Sequence, residues 1–365
     1  MINPKKLFQT LKKNINFFSG VPDSVLKNFL VFLDKLPSKN HVIASNEGSA
    51  IGAGIGYHLS TSKIPCIYMQ NSGLGNAINP IISIADKNVY SIPLFLLIGW
   101  RGSPSEKDEP QHLTKGKITL KLLKLLKIDF AVLNNDRDLI KIQKLFNLAK
   151  KKNRIVACLV KKNSIKDIPK KKIKYRNSYL KRSDFIEEFL DILPTNSKLI
   201  STTGYTSREL MEIRKRKKHK TQDFYMVGGM GHTASVANGF ASHSNKKIFC
   251  LDGDGSLLMH LGSARTIGYQ KKKNFNHIMF NNNSHESVGG QTTTAFGINF
   301  NLLLKSLGYK NYFKIKKKSE IRKKIIKINR IAGPNFIEVV IRNDSLKNLS
   351  RPKNLISVKY KFMEK

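Results

Sequence analysis

The sequence predicts an α/β protein made of two doubly wound parallel-sheet domains. Three observations predict it. Short apolar runs alternate with helical patterns along most of the 365 residues, which is the rhythm of βα units. The runs end in turns rich in glycine and asparagine, the residues that tolerate tight or left-handed backbone. The length suits two domains of ordinary size, and a hydrophobic content of 40% supplies a core for each.

In the first half, Phe17-Phe18-Ser19-Gly20-Val21-Pro22-Asp23-Ser24 runs into a helix, with Pro22 and Asp23 or Ser24 at its first positions. Residues 41–45 read as a short strand that ends at Asn46-Glu47-Gly48-Ser49-Ala50. A helix of small residues follows (Ala50, Gly52, Ala53, Gly54, Gly56), which implies close approach by another helix or a ligand. Glu47 at its start suits the helix dipole. Residues 64–70 form the next strand. The turn Asn71-Ser72-Gly73-Leu74-Gly75-Asn76 then leads into a helix with Pro80 in its early turns. Gly73 and Gly75 imply backbone pressed against something. The fully apolar run 93–98 delivers Gly99-Trp100-Arg101-Gly102 and a polar loop that reaches His112. Because it leaves the end of a buried strand, this loop reads as a substrate loop. Strands at 128–133 and 154–160, with a helix over 138–150 between them, complete the half.

Residues 166–182 are rich in lysine, hold Pro169 and lack apolar periodicity, so they read as a connector. Ser183 and Asp184, with Glu187 following, give a capping-type helix start. A strand at 198–201 leads through Thr202-Thr203-Gly204-Tyr205 into a helix carrying Arg208. A strand at 223–227 ends in Gly228-Gly229-Met230-Gly231-His232, a phosphate-proximal glycine turn, and a small-residue helix runs on to Ala241. The run 248–251 breaks at Gly253-Asp254-Gly255-Ser256. A helical pattern follows (Leu257, Leu258, Leu261, Ala264, Ile267), and the strand 275–280 ends in Asn281-Asn282-Asn283. In a parallel sheet both strand ends meet one edge, where ligands bind. Asp254 and the asparagines therefore converge although they lie 28 positions apart (282 − 254). A carboxylate, an amide oxygen and a backbone carbonyl suit a hard cation such as Mg²⁺ that also takes oxygens from a bound phosphate. The loop 284–291 leaves the same edge. Residues 335–341, after Gly333-Pro334, read as the last strand, and the tail after Asn343 reads as basic and peripheral.

The net charge of +40 invites a nucleic-acid reading. The lysines are spread over the length, many at helix-surface spacing, and no recognition motif with interleaved aromatics accompanies them, so a solvated surface is the better account. Such a field attracts small polyanions. No run of 18 apolar residues is present, so no membrane partner is expected. The three cysteines, Cys66, Cys158 and Cys250, lie far apart in apolar runs and read as buried thiols. With no signal peptide evident, a cytoplasmic location is expected.

Gly253-Asp254-Gly255 followed after roughly 25 residues by paired asparagines resembles the diphosphate-binding motif of thiamine diphosphate enzymes. Asn46-Glu47-Gly48-Ser49-Ala50 resembles their pyrimidine-binding domain. The resemblance implies thiamine diphosphate and Mg²⁺ as cofactors and two domains with no middle domain. These would be a pyrimidine-binding domain at 1–165, a linker at 166–182, a diphosphate- and Mg-binding domain at 183–345 and a basic tail at 346–365. It also implies a homodimer or larger assembly with active sites between chains. Several stretches resemble the phosphonopyruvate decarboxylase group, with sulfopyruvate decarboxylases as near relatives. They are residues 68–80, Ile98-Gly99-Trp100-Arg101-Gly102, Asp108-Glu109-Pro110-Gln111-His112, residues 203–209 and residues 285–291. The implied activity is non-oxidative decarboxylation of a 2-oxoacid carrying a second anionic group, in phosphonate synthesis.

By the same resemblance Glu47 activates the cofactor, and His112 and His285 are proton donors or orienting groups. Arg101 leads the candidates for the second anion, with Lys107, Gln111 and Arg208 behind it. Asn71, Gly73, Gly75, Gly229, Met230, Gly231, His232, Gly253, Asp254, Gly255 and Ser256 are expected to contact the cofactor. The metal ligands are Asp254, Asn282 and the Ser284 carbonyl, with Asn281 as the alternative to Asn282. Asn283 stands where the group has glycine, and the turn is expected to survive because asparagine tolerates positive φ.

Overall fold

A computed structural model describes residues 1–104, 106–169, 179–219 and 222–364. The chain divides into two compact units, Met1–Lys171 with His285–Thr292, and Lys172–Ser284 with Thr293–Lys365. Most of the stretch read as a connector lies outside the described residues.

Among the described residues the first unit holds six parallel strands: β1 (Phe18–Gly20), β2 (His41–Ile43), β3 (Cys66–Gln70), β4 (Phe95–Trp100), β5 (Asp129–Leu133) and β6 (Val156–Lys161). They lie in the order β2-β1-β3-β4-β6-β5. The helices are α1 (Pro4–Lys12), α2 (Lys27–Leu33), α3 (Glu47–Thr61), α4 (Leu74–Pro80), α5 (Pro110–Leu125) and α6 (Ile140–Lys152). Alternate strand residues face opposite sides, and each side has its own core. Phe18, Tyr68, Leu97 and Cys158 pack with Phe29 and Leu30 on one. Ile67, Met69, Leu96 and Leu159 pack with Ile51 and Leu123 on the other. Burial on both faces is why β4 is apolar throughout.

The second unit repeats this wiring. Its helices are α7 (Arg182–Asp191), α8 (Tyr205–Arg216), α9 (Thr233–Ala241), α10 (Asp254–Met259), α11 (Gly262–Gln270), α12 (Phe300–Ser306), α13 (Lys318–Arg330) and α14 (Leu355–Met363). Its strands are β7 (Ser197–Ser201), β8 (Phe224–Tyr225), β9 (Lys247–Gly253), β10 (Phe275–Asn281), β11 (Asn311–Ile315) and β12 (Asn335–Val340), in the order β11-β12-β10-β9-β7-β8. Adding six to each strand number of the first sheet gives the second. The sequence shows no such repeat. In each sheet the order reverses beside the first strand, β1 against β3 and β7 against β9, which are the crevices where doubly wound sheets bind ligands.

Several expectations shift. The strand expected at 223–227 keeps only Phe224 and Tyr225, because the glycine turn starts early. The helix start expected at Ser183 begins at Arg182, and the Asp184 carboxylate accepts the Lys181 backbone N–H at 3.3 Å. Asp23 caps a turn ahead of α2, accepting the N–H groups of Val25 and Leu26 at 3.1 and 3.3 Å. The tail is not wholly peripheral. Phe362 is buried against Phe224 and Phe240, and the Lys198 ammonium donates to the Phe362 and Glu364 carbonyls at 2.8 Å. The three cysteines are free and buried, as expected. No helix among the described residues is long and apolar enough to cross a membrane.

In an exposed helix, replacing glycine by alanine stabilises by about 0.5–1 kcal/mol. Gly268 of α11 reverses that sign, since an added Cβ would lie 2.0 Å from the Leu307 carbonyl oxygen. Gly268→Ala is expected to cost about 1–3 kcal/mol in urea unfolding; a midpoint at or above wild type would contradict this packing.

Candidate active site

In the first unit, Glu47 is the first residue of α3 and is buried. Its Oε2 accepts the Asn76 Nδ2–H at 2.8 Å. A Cβ on Gly73 would fall 2.3 Å from Glu47 Oε1, so glycine there is required by the carboxylate itself. A Cβ on Gly75 would meet no described residue beyond its own helix within 4 Å. The Asn71 amide clamps the end of β4. It donates to the Arg101 carbonyl at 3.0 Å and the Thr119 hydroxyl at 2.9 Å, and accepts the Arg101 N–H at 3.1 Å.

The Arg101 guanidinium grips Asp108 through Nε at 2.7 Å and through Nη2, and reaches the Ser24 hydroxyl from Nη1 at 3.2 Å. Asp108 also accepts the N–H groups of Gly102 and Glu109 at 2.9 Å. Despite burial, the arginine and these N–H groups hold its carboxyl well below the usual carboxylate range. Gly102 has φ +69°, and its carbonyl would lie 1.5 Å from a Cβ on Gly116. The Trp100 indole donates to the Gly116 carbonyl at 3.0 Å. The Gly-Trp-Arg-Gly stretch is therefore pressed onto the first turns of α5. His112 is buried in that turn, Gln111 is half-buried, and Lys107 is exposed with its carbonyl accepting the Lys162 ammonium at 3.3 Å.

Asp23 sits at the β1–β3 crevice. Its Oδ1 accepts the Gln70 amide at 2.7 Å, and burial pushes its pKa up despite that bond. A Cβ on Gly99 would lie 1.8 Å from its Oδ2. The loop of His285 belongs to this unit. It closes on itself, His285 N–H to Gln291 carbonyl at 2.7 Å and Gly290 N–H to His285 carbonyl at 3.0 Å, and Gln291 bonds Asp34. Burial pushes the His285 pKa down to about 4, so its ring is neutral at pH 7.

In the second unit, β9 and β10 pair so that Gly253 lies opposite Phe280. Asp254, buried at the start of α10, accepts the Thr293 hydroxyl at 2.6 Å and the N–H groups of Gly255 and Asn283. Burial raises its pKa to about 6. The turn at Asn283 survives in left-handed backbone, φ +52°. Asn282 Oδ1 accepts the Ser284 N–H at 3.1 Å, and the Ser284 hydroxyl is buried with no hydrogen-bond partner among the described residues. At the β7–β9 crevice Ser256 ties the glycine turn to the sheet. Its hydroxyl accepts the Gly231 N–H at 3.1 Å and lies 3.2 Å from the Thr202 hydroxyl. Gly229 and Gly231 have φ +67° and +88°, and His232 stacks on His260 with centroids 4.5 Å apart. Arg208 is directed to the C-terminal segment, donating to the Leu349 and Ser350 carbonyls. Cys250, Asp252 and His277 lie close together beneath this edge, but His277 is engaged with Asp252 at 3.3 Å and Tyr309 at 2.8 Å within the core.

Both units match family models. Residues 5–123 match the thiamine pyrophosphate enzyme N-terminal TPP binding domain, and residues 202–339 match the C-terminal TPP binding domain. The chain is 31% identical over 352 residues to the phosphonopyruvate decarboxylase of Streptomyces viridochromogenes, covering 92% of this chain and 87% of that one. The chain belongs to the thiamine pyrophosphate enzyme family. It is also 26% identical over 370 residues to the sulfopyruvate decarboxylase of Methanosarcina acetivorans, covering 94% and 92%. With the sulfopyruvate decarboxylase subunit beta of Methanocaldococcus jannaschii it shares 37% identity over 124 residues, covering 34% of this chain and 63% of that subunit.

This thiamine pyrophosphate enzyme has residues that fit its cofactor. Asp254 is a buried carboxylate whose bonding partners are a hydroxyl and backbone N–H groups, and its raised pKa marks a negative charge short of compensation. The oxygens beside it suit Mg²⁺ carrying a diphosphate. A Cβ on Gly253 meets nothing within 4 Å, which leaves backbone open to close approach. Asp23, Asp108 and Thr293 stand beside these groups without having been singled out as site residues by the sequence. The sequence offers Asp23 only as a helix start, and the contacts of Asp108 and Thr293 follow no local pattern.

The Asp108 pair has a pH consequence. Its folded pKa lies below the unfolded value of about 3.9, so it stabilises the fold above that pH and the contribution is lost as pH falls through the folded value. Asp108→Asn should cost about 3 kcal/mol at pH 7, with the gap to wild type narrowing below about pH 4 in thermal melts. A gap independent of pH would contradict the pairing.

Proposed function

We propose that this enzyme decarboxylates 3-phosphonopyruvate to phosphonoacetaldehyde and CO₂, in phosphonate biosynthesis. The observation that carries the reading is the identity to phosphonopyruvate decarboxylase along 92% of the chain. Thiamine diphosphate, when bound, supplies the electron sink that lets a 2-oxoacid lose CO₂. The chain's residues bind, orient and move protons around it. Glu47, braced by Asn76 and backed by Gly73, offers a carboxyl oxygen that shares a proton with the cofactor's aminopyrimidine ring. Asp254, Asn282 and the Ser284 carbonyl hold Mg²⁺, and the turns at 229–232 and 253–256 receive the diphosphate.

Asp23, whose pKa burial pushes up, places a carboxyl group at the β1–β3 crevice where it can exchange a proton with the substrate. His285, neutral at pH 7, accepts or donates at its ring nitrogens. Arg101, fixed by Asp108, turns the rest of its guanidinium to an anionic group. His112 and Gln111 sit in the first turn of α5, which follows that loop. The functional species is a homodimer or larger, with Glu47 of one copy and Asp254 of another serving one cofactor; a relative that carries part of this sequence as a separate subunit supports assembly from more than one chain. Three free, buried cysteines fit a reducing, cytoplasmic setting.

Sulfopyruvate is the second reading, favoured by the 37% identity to a sulfopyruvate decarboxylase subunit. Phosphonate and sulfonate differ by one charge on a similar tetrahedral group, so turnover decides. Protein with thiamine diphosphate and Mg²⁺ is offered phosphonopyruvate, sulfopyruvate and pyruvate separately, and CO₂ and aldehyde are measured. Phosphonopyruvate is expected to give the highest kcat/KM, and a preference for either of the others would overturn the assignment. Glu47→Gln should lower kcat at least a hundredfold with an unchanged melting temperature; full activity would remove Glu47 from the chemistry.

A further inference from the structure

Asn281 stands at the end of β10, one residue before the asparagine assigned above to the metal, and both ends of its amide are in use. Nδ2 donates to Glu338 Oε1 at 2.9 Å, and Oδ1 accepts the Asn283 N–H at 3.3 Å. A carboxamide is suited to this task because it donates at one end and accepts at the other. Glu338 is itself buried, 1% exposed, in the middle of the sheet. Its Oε2 accepts the Tyr312 hydroxyl and faces the Lys314 ammonium at 3.1 Å.

Strand register explains why these four side chains meet. Glu338 pairs with Lys314 of β11 on one side and with Met279 of β10 on the other. Tyr312 lies two residues before Lys314, and Asn281 two after Met279, so all four project from one face. Lys314 is half-exposed, with 42% of its side chain accessible, and the chain of bonds runs inward from it to the turn.

That turn carries the site. The Asn283 N–H, held by Asn281, also reaches the Asp254 carboxylate. The Asn283 carbonyl accepts the Thr293 N–H at 3.0 Å, and the Thr293 hydroxyl bonds Asp254. The left-handed backbone at Asn283 thus fixes where Asn282 and Ser284 lie relative to Asp254.

We propose that Asn281 is a positioning residue and not a metal ligand: Glu338, with Tyr312 and Lys314, clamps its amide so that the Asn283 turn presents Asn282 and Ser284 to the cation. The proposal rests on the reading of Asp254, Asn282 and Ser284 as the metal site. Partners that orient metal ligands in this way commonly set metal affinity by about 10–100-fold.

The test is a calorimetric titration of Mg²⁺ into protein in the presence of excess thiamine diphosphate, which needs no turnover. Asn281→Ala and Glu338→Gln should each raise the half-saturating Mg²⁺ concentration about tenfold or more. The double variant should be no worse than the weaker single one, because the two act as one unit. Tyr312→Phe, which removes a single hydroxyl, should move the value the same way by a smaller factor. If Asn281→Ala does not fold, Glu338→Gln and Tyr312→Phe carry the test at near-constant volume. Wild-type Mg²⁺ dependence in Glu338→Gln and Tyr312→Phe, with Asn282→Ala strongly impaired, would overturn the clamp and leave the metal site standing. Wild-type dependence in Asn282→Ala and Asp254→Ala as well would remove the metal site itself.

Discussion

The parallel register of β9 against β10 is the constraint on which the rest of the second unit's chemistry depends. Gly253 lies opposite Phe280, so the residues that follow each strand leave the sheet at one edge. A slip of one residue would turn Asn281 away from Glu338 and Asp254 away from the Asn283 turn. The register is held by apolar side chains on both faces, Phe249, Leu251, Ile278 and Phe280 on one and Cys250, Phe275 and Met279 on the other. Each face must match its own helices, which is how ordinary core packing fixes the position of a buried carboxylate.

The two units answer the same topological problem with different strand-end residues. Their strand orders coincide when the second is counted from β7. The turn after β3 carries Asn71 and Gly73, and the one after β9 carries Asp254. The turn after β4 carries Arg101, clamped by Asp108, and the one after β10 carries the asparagines, clamped by Glu338. The shared requirement is apolar strands and βα rhythm, which many sequences satisfy. No sequence repeat is needed, and none is visible.

Much of this was legible in the sequence, for physical reasons. Strands buried on both faces are mostly apolar, so β3, β4, β9, β10 and β12 stood out. Glu47 at a helix start and the Gly-Asp-Gly turn followed from strand ends and glycine chemistry, and the left-handed Asn283 from the family resemblance that has glycine at that position. The hidden parts depend on contacts distant in sequence or on composition. The strand β11 and helix α13 lie in a lysine-rich stretch whose apolar residues, Ile315, Ile321, Ile325 and Ile328, are buried one at a time. The Asp23 to Gln70 bond spans 47 residues and Asn281 to Glu338 spans 57, beyond any local pattern. The α14 helix docks through Phe362 and its backbone carbonyls, leaving Ile356 and Tyr360 exposed, so its periodicity gave no core signal.

On a chain of net charge +40, Asp254 is buried among a hydroxyl and backbone N–H groups, and its pKa of about 6 records what that burial costs. In the proposed assignment a divalent cation bound at Asp254 relieves that cost and displaces a proton to do so at lower pH. The direct measurement is calorimetric binding of thiamine diphosphate with Mg²⁺ and with a chelator, between pH 5 and pH 7. Binding should need the cation, and its affinity should fall by up to about tenfold per pH unit below about pH 6 as the proton competes for Asp254. Equal affinity in the chelator, or Mg²⁺-supported affinity that ignores pH across that range, would contradict the account.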